Sequence, residues 1–288
     1  MLEVLDTLVA WRARTDAVRR GGATLGLTMT MGGLHRGHAS LFERAAASCD
    51  VAAATVFVNP LQFGDPADLA AYPRDLAADL AVAEAAGVTL VLAPPIEEIW
   101  PAWPASTATT VHVAGLADVL EGEGRPGHFD GVASVVTKLL VATGPCTAFF
   151  GEKDFQQLCV VQRLVADLAL PIEVVGCPIV RERDGLALSS RNARLSAGGH
   201  RAALTLRASL EAGRAALAAS PCVEHALEAM RRVVAGEPLV TLAYAAAVEP
   251  STLRAAVEPP RGATVRLLVA GVVEGVRLID NVAAVVGP

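Results

Sequence analysis

Lysine is almost missing from this chain of 288 residues: of 24 basic residues, only Lys138 and Lys153 are lysine. Arginine carries the surface charge, so the two lysines are marked positions. Aromatics are scarce as well, at 4%. The 53% hydrophobic content therefore rests on alanine and aliphatics, and the mean hydropathy of +0.44 reflects small helix formers more than a greasy exterior. No run reaches the ~18 uninterrupted apolar residues of a membrane span, which argues against a membrane partner. The opening MLEVLDTLVAWRARTDAVRR lacks a basic start, an apolar block and a small-residue cleavage site. No secretory leader is expected, and the location predicted is cytoplasmic. The five cysteines (Cys49, Cys146, Cys159, Cys177, Cys222) are far apart and odd in number, with no CxxC pair. That spacing supports neither a zinc site nor a disulfide framework and predicts reduced core thiols. Excess positive charge is lacking too: the net charge is −6 and the pI about 5.5. A broad nucleic-acid footprint is excluded, and any anionic substrate must be met by a few local basic groups.

What is present is an alternation. Apolar runs at 23–30, 51–58, 88–94, 109–115, 147–151 and 172–180 read as strands, with helical stretches at 37–49, 67–86 (broken by Pro73), 129–142 and 154–168 between them. Short, fully apolar strands separated by helices predict a parallel sheet covered on both faces. A length of 288 residues, at ~100–200 residues per domain, leaves room for a second domain. The texture changes near residue 182. Helices at about 197–219 and 223–235 precede VTLAYAAAVEP, ATVRLLVAGVVEG and VRLIDNVAAVV, which read as strands. The prediction is an α/β domain with a parallel sheet over 1–182 and a smaller α+β domain over 183–288.

Five segments carry polar groups at strand ends, where open parallel sheets bind ligands. TMTMGGLHRGH (28–38) places His35 and His38 on a strand-to-helix turn with Gly32, Gly33 and Gly37. Free N–H groups at such a helix start suit phosphate. A P-loop would need Lys-Ser/Thr after Gly37, and His38-Ala39 stand there instead. The two imidazoles can donate to charge on a phosphoryl oxygen, or one can cap the helix while the other is solvated. VNPLQFG (58–64) offers Asn59 and Gln62 for a hydroxylated substrate, or a plain Asn-Pro turn. GRPGHFDGV (124–132) supplies Arg125 and His128, as ligands or as loop surface. FFGEKDFQQL (149–158) brings Lys153 to a strand end, with Gly151 permitting a sharp turn and Asp154 a plausible cap. DGLALSSRN (184–192) holds two serines and Arg191, a compact phosphate-binding set or ordinary turn chemistry.

Taken together and in order, these segments with YPRDL, TKLL and RLIDNV closely resemble the pantothenate synthetase (pantoate–β-alanine ligase) family, within the HxGH group of nucleotidyl-transferring Rossmann-like enzymes, which implies a Rossmann-like first domain over 1–182. HxGH alone would be shared with cytidylyl- and adenylyltransferases. The resemblance implies an AMP-forming ligase that joins pantoate to β-alanine at the expense of ATP carried with Mg2+, through a pantoyl adenylate. It implies ATP contacts from Met31, Gly32, Gly33, Leu34, His35, Arg36, Gly37 and His38, then Gly151, Glu152, Lys153 and Asp154, then Val180, Leu188, Ser189, Ser190 and Arg191. The catalytic assignments are His38 (the position of the proton donor), His35, Lys153 and Arg191. Gln62 and Gln157, with Asn59 near them, match the pantoate site; no separate protein-bound metal site is assigned. A homodimer is implied, with the C-terminal domain closing over ATP.

Two departures stand out. Met29 occupies a position that is usually proline, and Arg36 one that is often acidic or small. Neither removes a catalytic group, so altered kinetics are expected and not lost chemistry. An HxGH transferase with another acceptor, or an ATP-binding paralogue without catalysis, would share parts of the pattern; the intact set of polar residues argues against the second.

Overall fold

Six short apolar runs form strands β1 (Glu3–Leu5), β2 (Leu25–Thr30), β3 (Val51–Val56), β4 (Leu90–Leu92), β5 (Cys146–Gly151) and β6 (Ile172–Cys177). The computed structural model describes residues 2–287. All six strands pair in parallel, in the order β1-β4-β3-β2-β5-β6. Leu25, Leu27, Ala52, Ala53, Ala54, Leu90, Val91 and Leu92 are buried, which is why these strands read as continuous apolar runs. From β2 the chain steps through β3 to β4, then returns to place β5 on the other edge of β2. The winding reverses between β2 and β5. Their ladder has two residue pairs, Gly26–Thr147 and Leu27–Ala148, against six between β2 and β3. Toward their carboxyl ends the two strands no longer pair, and the crevice of a topological switch point opens there.

Helices fall between the strands as the pattern predicts. Pro73 lies in the break between helices Pro66–Ala70 and Leu76–Ala85. One expectation fails: residues 109–115 are not a strand. Val111 N donates instead to Ser134 Oγ at 2.8 Å, and His112 Nδ1 meets Asp130 Oδ1 at 2.8 Å. The β-branched residues there are held by helix His128–Thr143, and the sheet edge next to β4 is taken by β1 from the N-terminus. Neither β1 nor helix Leu8–Arg20 was foreseen; Trp11 anchors that helix, fully buried with its indole N–H on Thr143 Oγ1 at 2.9 Å.

Two compact units result. One comprises the chain to Glu152 with Gln156–Pro178; the other comprises Lys153–Phe155 with the chain from Ile179 onward. The second unit has helices Ala197–Ala219 and Val223–Ala235 and an antiparallel sheet of β7 (Val240–Val248), β8 (Thr264–Val273) and β9 (Val276–Val285). Its core includes Leu206, Leu210, Met230, Leu267 and Val269. A Cβ at Gly213 would stand 2.6 Å from Met230 Cγ, so glycine sets how closely the two helices pack. None of the five cysteines is in a disulfide, and burial pushes the Cys146 thiol up to about 12.

Candidate active site

β2 runs into the glycine turn and then into helix Arg36–Ser48. His35 is the N-cap of that helix, and its Nδ1 accepts from Gly37 N at 3.0 Å. His38 Nδ1 accepts in return from His35 N at 3.3 Å. This is a capping box built from two imidazoles, with ring centroids 4.2 Å apart. Both rings therefore serve as caps, and capping is not an alternative to function. An Nδ1 that accepts carries no hydrogen, so each neutral ring holds its proton on Nε2. The helix has no acidic residue in its first turn, and Arg36 there is exposed. Nothing in that turn neutralises the positive end of the helix, which favours an anion.

The turn itself is clamped from below. Gly32 and Gly33 have φ of +83° and +62°, conformations suited to glycine. Asp79, 4% exposed, accepts from Leu34 N at 2.7 Å and from Gly33 N at 3.2 Å. A Cβ at Gly32 would lie 2.6 Å from Asp79 Oδ2. Tyr72 donates its hydroxyl to Gly32 O at 3.3 Å, and Pro73 lies against Gly33. The YPRDL segment and the helix after it thus shape the turn. Sequence reading missed Asp79, although a signal existed: an acid on the face that also carries buried Ala83 in a helix otherwise rich in alanine.

Gln62 is held from two sides. His128 Nδ1 donates to its carbonyl at 2.8 Å, His128 Nε2 receives Arg125 Nη1 at 3.0 Å, and Arg125 Nη2 approaches the same carbonyl at 3.4 Å. Arg125 and His128 are thus supports of Gln62. From the other side, Asn59 Nδ2 donates to Gln62 Oε1 and to Gly131 O, each at 3.0 Å. Asn59 is 1% exposed, and its Oδ1 accepts from Trp100 Nε1 at 3.0 Å and Leu61 N at 3.4 Å. Expected as a pantoate contact, Asn59 has its hydrogen-bonding capacity taken up by protein. A Cβ at Gly131 would stand 2.4 Å from Leu61 O, so the close approach of helix to loop requires glycine.

The two glutamines after β5 have separate tasks. Gln156 is buried and satisfies Glu121 N, Leu116 O and Val119 O. Gln157 is half-buried, and among the described residues its side chain has no partner. Glu152 flanks Gly176. Gly151 needs no left-handed φ, and a Cβ there would meet nothing within 4 Å. The sharp turn expected at Gly151 is absent, because β5 passes directly into the short helical turn Glu152–Asp154.

Lys153 and Asp154 belong to the second unit. The Lys153 carbonyl accepts from Asn281 Nδ2 at 3.0 Å, and the Phe155 ring lies 4.1 Å from the guanidinium carbon of Arg266. Arg266 Nε donates to Asn281 Oδ1 at 2.7 Å. Asp280, 4% exposed, takes Arg181 in a bidentate pair at 2.6 and 2.9 Å. The RLIDNV segment therefore ties Lys153 and the 181 strand to this unit. Val180 and Leu188 face each other across a hairpin, Leu188 N to Val180 O at 3.0 Å. Ser189 caps the following turn by accepting from Arg191 N at 3.2 Å, while Ser190 and Arg191 are exposed. Asp184 pairs with His200 Nε2 at 2.7 Å, and this hydrogen bond holds its carboxyl below the usual range. Glu182 receives Asn192 Nδ2 at 2.7 Å.

A family model described as pantoate-beta-alanine ligase matches residues 3–283. The chain belongs to the pantoate–β-alanine ligase family. It is 48% identical over 282 residues to a pantothenate synthetase of Cereibacter sphaeroides, covering 98% of this chain and 99% of that one. A Deinococcus radiodurans pantothenate synthetase is 49% identical over 263 residues, covering 89% and 92%. Among solved structures, a pantothenate synthetase of Thermus thermophilus superposes with TM-score 0.89 at 44% identity over the full length of both chains. A pantoate-beta-alanine ligase of Francisella tularensis, complexed with beta-gamma ATP and beta-alanine, superposes with TM-score 0.79 at 28% identity, covering 98% and 97%. Among the described residues, no helix is long and apolar enough to cross a membrane.

Proposed function

We propose that this chain is an ATP-dependent ligase condensing pantoate with β-alanine to pantothenate, AMP and pyrophosphate, with the residues above in the following roles. The pantoate carboxylate attacks the α-phosphorus of MgATP; the bond to the β-phosphate breaks, and pyrophosphate leaves. The β-alanine amine then attacks the acyl carbon of the adenylate, AMP departs with the electron pair of the acyl–oxygen bond, and the nitrogen's surplus proton passes to water. Mg2+ enters as part of the nucleotide substrate. The observation that carries these roles is the histidine capping box: it fixes both imidazoles so that Nε2–H is the donor each offers to phosphate oxygens. Lys153, Ser190 and Arg191 add charge and donors, and the Met31–Leu34 turn, its Gly33 and Leu34 N–H groups held by Asp79, shapes the nucleotide's seat. Gln62 and Gln157 hold the pantoate. No covalent nucleophile is required, so proximity and charge stabilisation carry the rate. The family resemblance extends the proposal to a homodimeric cytoplasmic enzyme without nucleic-acid or membrane partners.

The test is pyrophosphate release from MgATP with D-pantoate, with and without β-alanine. Pantoate-dependent release, followed by AMP and pantothenate once β-alanine is added, is expected. Release that ignores pantoate, or none under any acid, would reject the ligase in favour of a transferase with another acceptor or a nucleotide-binding paralogue.

A further inference from the structure

Trp100 and Lys138 take no part in the chemistry described so far, yet they stand behind Gln62 in an unbroken chain of contacts. The Lys138 ammonium donates to the Ile99 carbonyl and lies 5.2 Å from the Trp100 ring centroid. Trp100 is 4% exposed, and its Nε1 donates to Asn59 Oδ1 at 3.0 Å. Asn59 Nδ2 donates to Gln62 Oε1 at 3.0 Å.

Each link fixes the polarity of the next. An indole N–H only donates, so the Asn59 atom that meets it is the carbonyl oxygen. The Asn59 amide nitrogen must then face away from Trp100, toward two acceptors, Gly131 O and Gln62 Oε1. With Oε1 turned to Asn59, the end of the Gln62 amide that faces away is its NH2. Nε2 has no partner among the described residues and is not sealed from solvent. The orientation of both amides follows from this chemistry. The lysine fixes the first link: its cation rests on the indole face and ties the ring to the end of the short helix Ile96–Ile99. One of the two lysines in the chain is thereby accounted for.

We infer that Trp100, braced by Lys138, is a positioning residue that acts through Asn59 to turn the Gln62 amide so that its NH2 faces the bound acid and donates to an oxygen lone pair of pantoate. The inference rests on the proposal that Gln62 holds pantoate. Without the indole N–H, only the long contact from Leu61 N at 3.4 Å and the Gly131 carbonyl still orient Asn59, so its hold on Gln62 weakens and the Gln62 amide can turn its carbonyl toward an acceptor oxygen.

The experiment is a double-mutant cycle on the full-length enzyme, with Trp100→Phe and Gln62→Ala alone and together, reading KM for pantoate, KM for ATP and kcat. Trp100→Phe keeps the ring and removes only the donor. It is expected to raise KM for pantoate about tenfold, within the range for a buried polar group that loses its partner, and to leave KM for ATP unchanged. In the Gln62→Ala background the same substitution should add nothing, because the group it orients is gone. A pantoate KM that is unchanged by Trp100→Phe, or that rises equally in both backgrounds, overturns the inference while leaving Gln62 in its role. An unchanged pantoate KM in Gln62→Ala itself refutes the role of Gln62. If Trp100→Phe does not fold, Asn59→Asp tests the next link: it still accepts from Trp100 but can no longer donate to Gln62. The same rise and the same non-additivity are expected, and simple additivity would again overturn the inference.

Discussion

The histidine turn and the Ser189–Arg191 segment are both expected to meet phosphate, yet they are built in opposite ways. At the turn, every group is held by another. His35 and His38 cap the helix through Nδ1, and Asp79 holds Gly33 and Leu34. At the other segment, Ser189 caps its turn while Ser190 and Arg191 are exposed, and the Arg191 guanidinium has no partner among the described residues. On the proposed roles, the first region links function to stability, because the rings that would meet phosphate through Nε2 cap the helix through Nδ1. The second separates them. Substitutions can test that difference directly.

The largest effect is expected at the turn. His38→Ala removes the Nε2–H donor and should lower turnover about 10²–10³-fold, the loss typical of one such donor. It also deletes half of the capping box, so the midpoint of denaturant unfolding should fall by an amount equivalent to about 1 kcal/mol. Near wild-type turnover would take His38 out of the chemistry. Lost turnover at unchanged stability would break the link between cap and catalyst.

Asp79→Ala comes next. Two backbone donors, on Gly33 and Leu34, lose their acceptor, and each buried donor left unpaired costs about 1–3 kcal/mol. The turn should loosen, raising KM for ATP together with the loss of stability. Asp75→Ala is the control: Asp75 caps the same helix by accepting from Ala78 N at 3.0 Å, and its loss should cost about 1 kcal/mol without touching ATP. Equal KM for ATP in the two variants would show that Asp79 supports the helix and not the turn.

Much of this was legible in the sequence for reasons that are local. The strands were readable because a buried parallel strand has no polar side, as in the run Ala52–Ala54. His35 and His38 stand out by type and spacing on a strand-to-helix turn, whereas Gln62 is singled out only by the family resemblance. What escaped reading depends on contacts between residues far apart in the chain. Asp79 lies 45 positions from Leu34, Trp100 lies 41 from Asn59, and Asn281 lies 128 from Lys153. No periodicity carries such pairings. Residues 109–115 failed for the related reason that β propensity is a property of half-buried surface, and β1 filled the sheet edge beside β4 instead.

Arg191→Ala probes the opposite construction and should have the smallest effect. Its guanidinium can make a charge-assisted contact to phosphate, so its loss should lower kcat/KM for ATP about tenfold. Stability should stay within about 0.5 kcal/mol of wild type, as for surface substitutions remote from caps and cores. The two regions should also respond differently to salt. An exposed charge is screened over roughly 8 Å at physiological ionic strength and less in stronger salt, so raising salt should narrow the gap between wild type and Arg191→Ala. The gap for His38→Ala should persist, because a neutral Nε2–H donor held by a cap has no net charge to screen. If both gaps close together, His38 acts as a cation, and the tautomer set by the capping box is not the one that works.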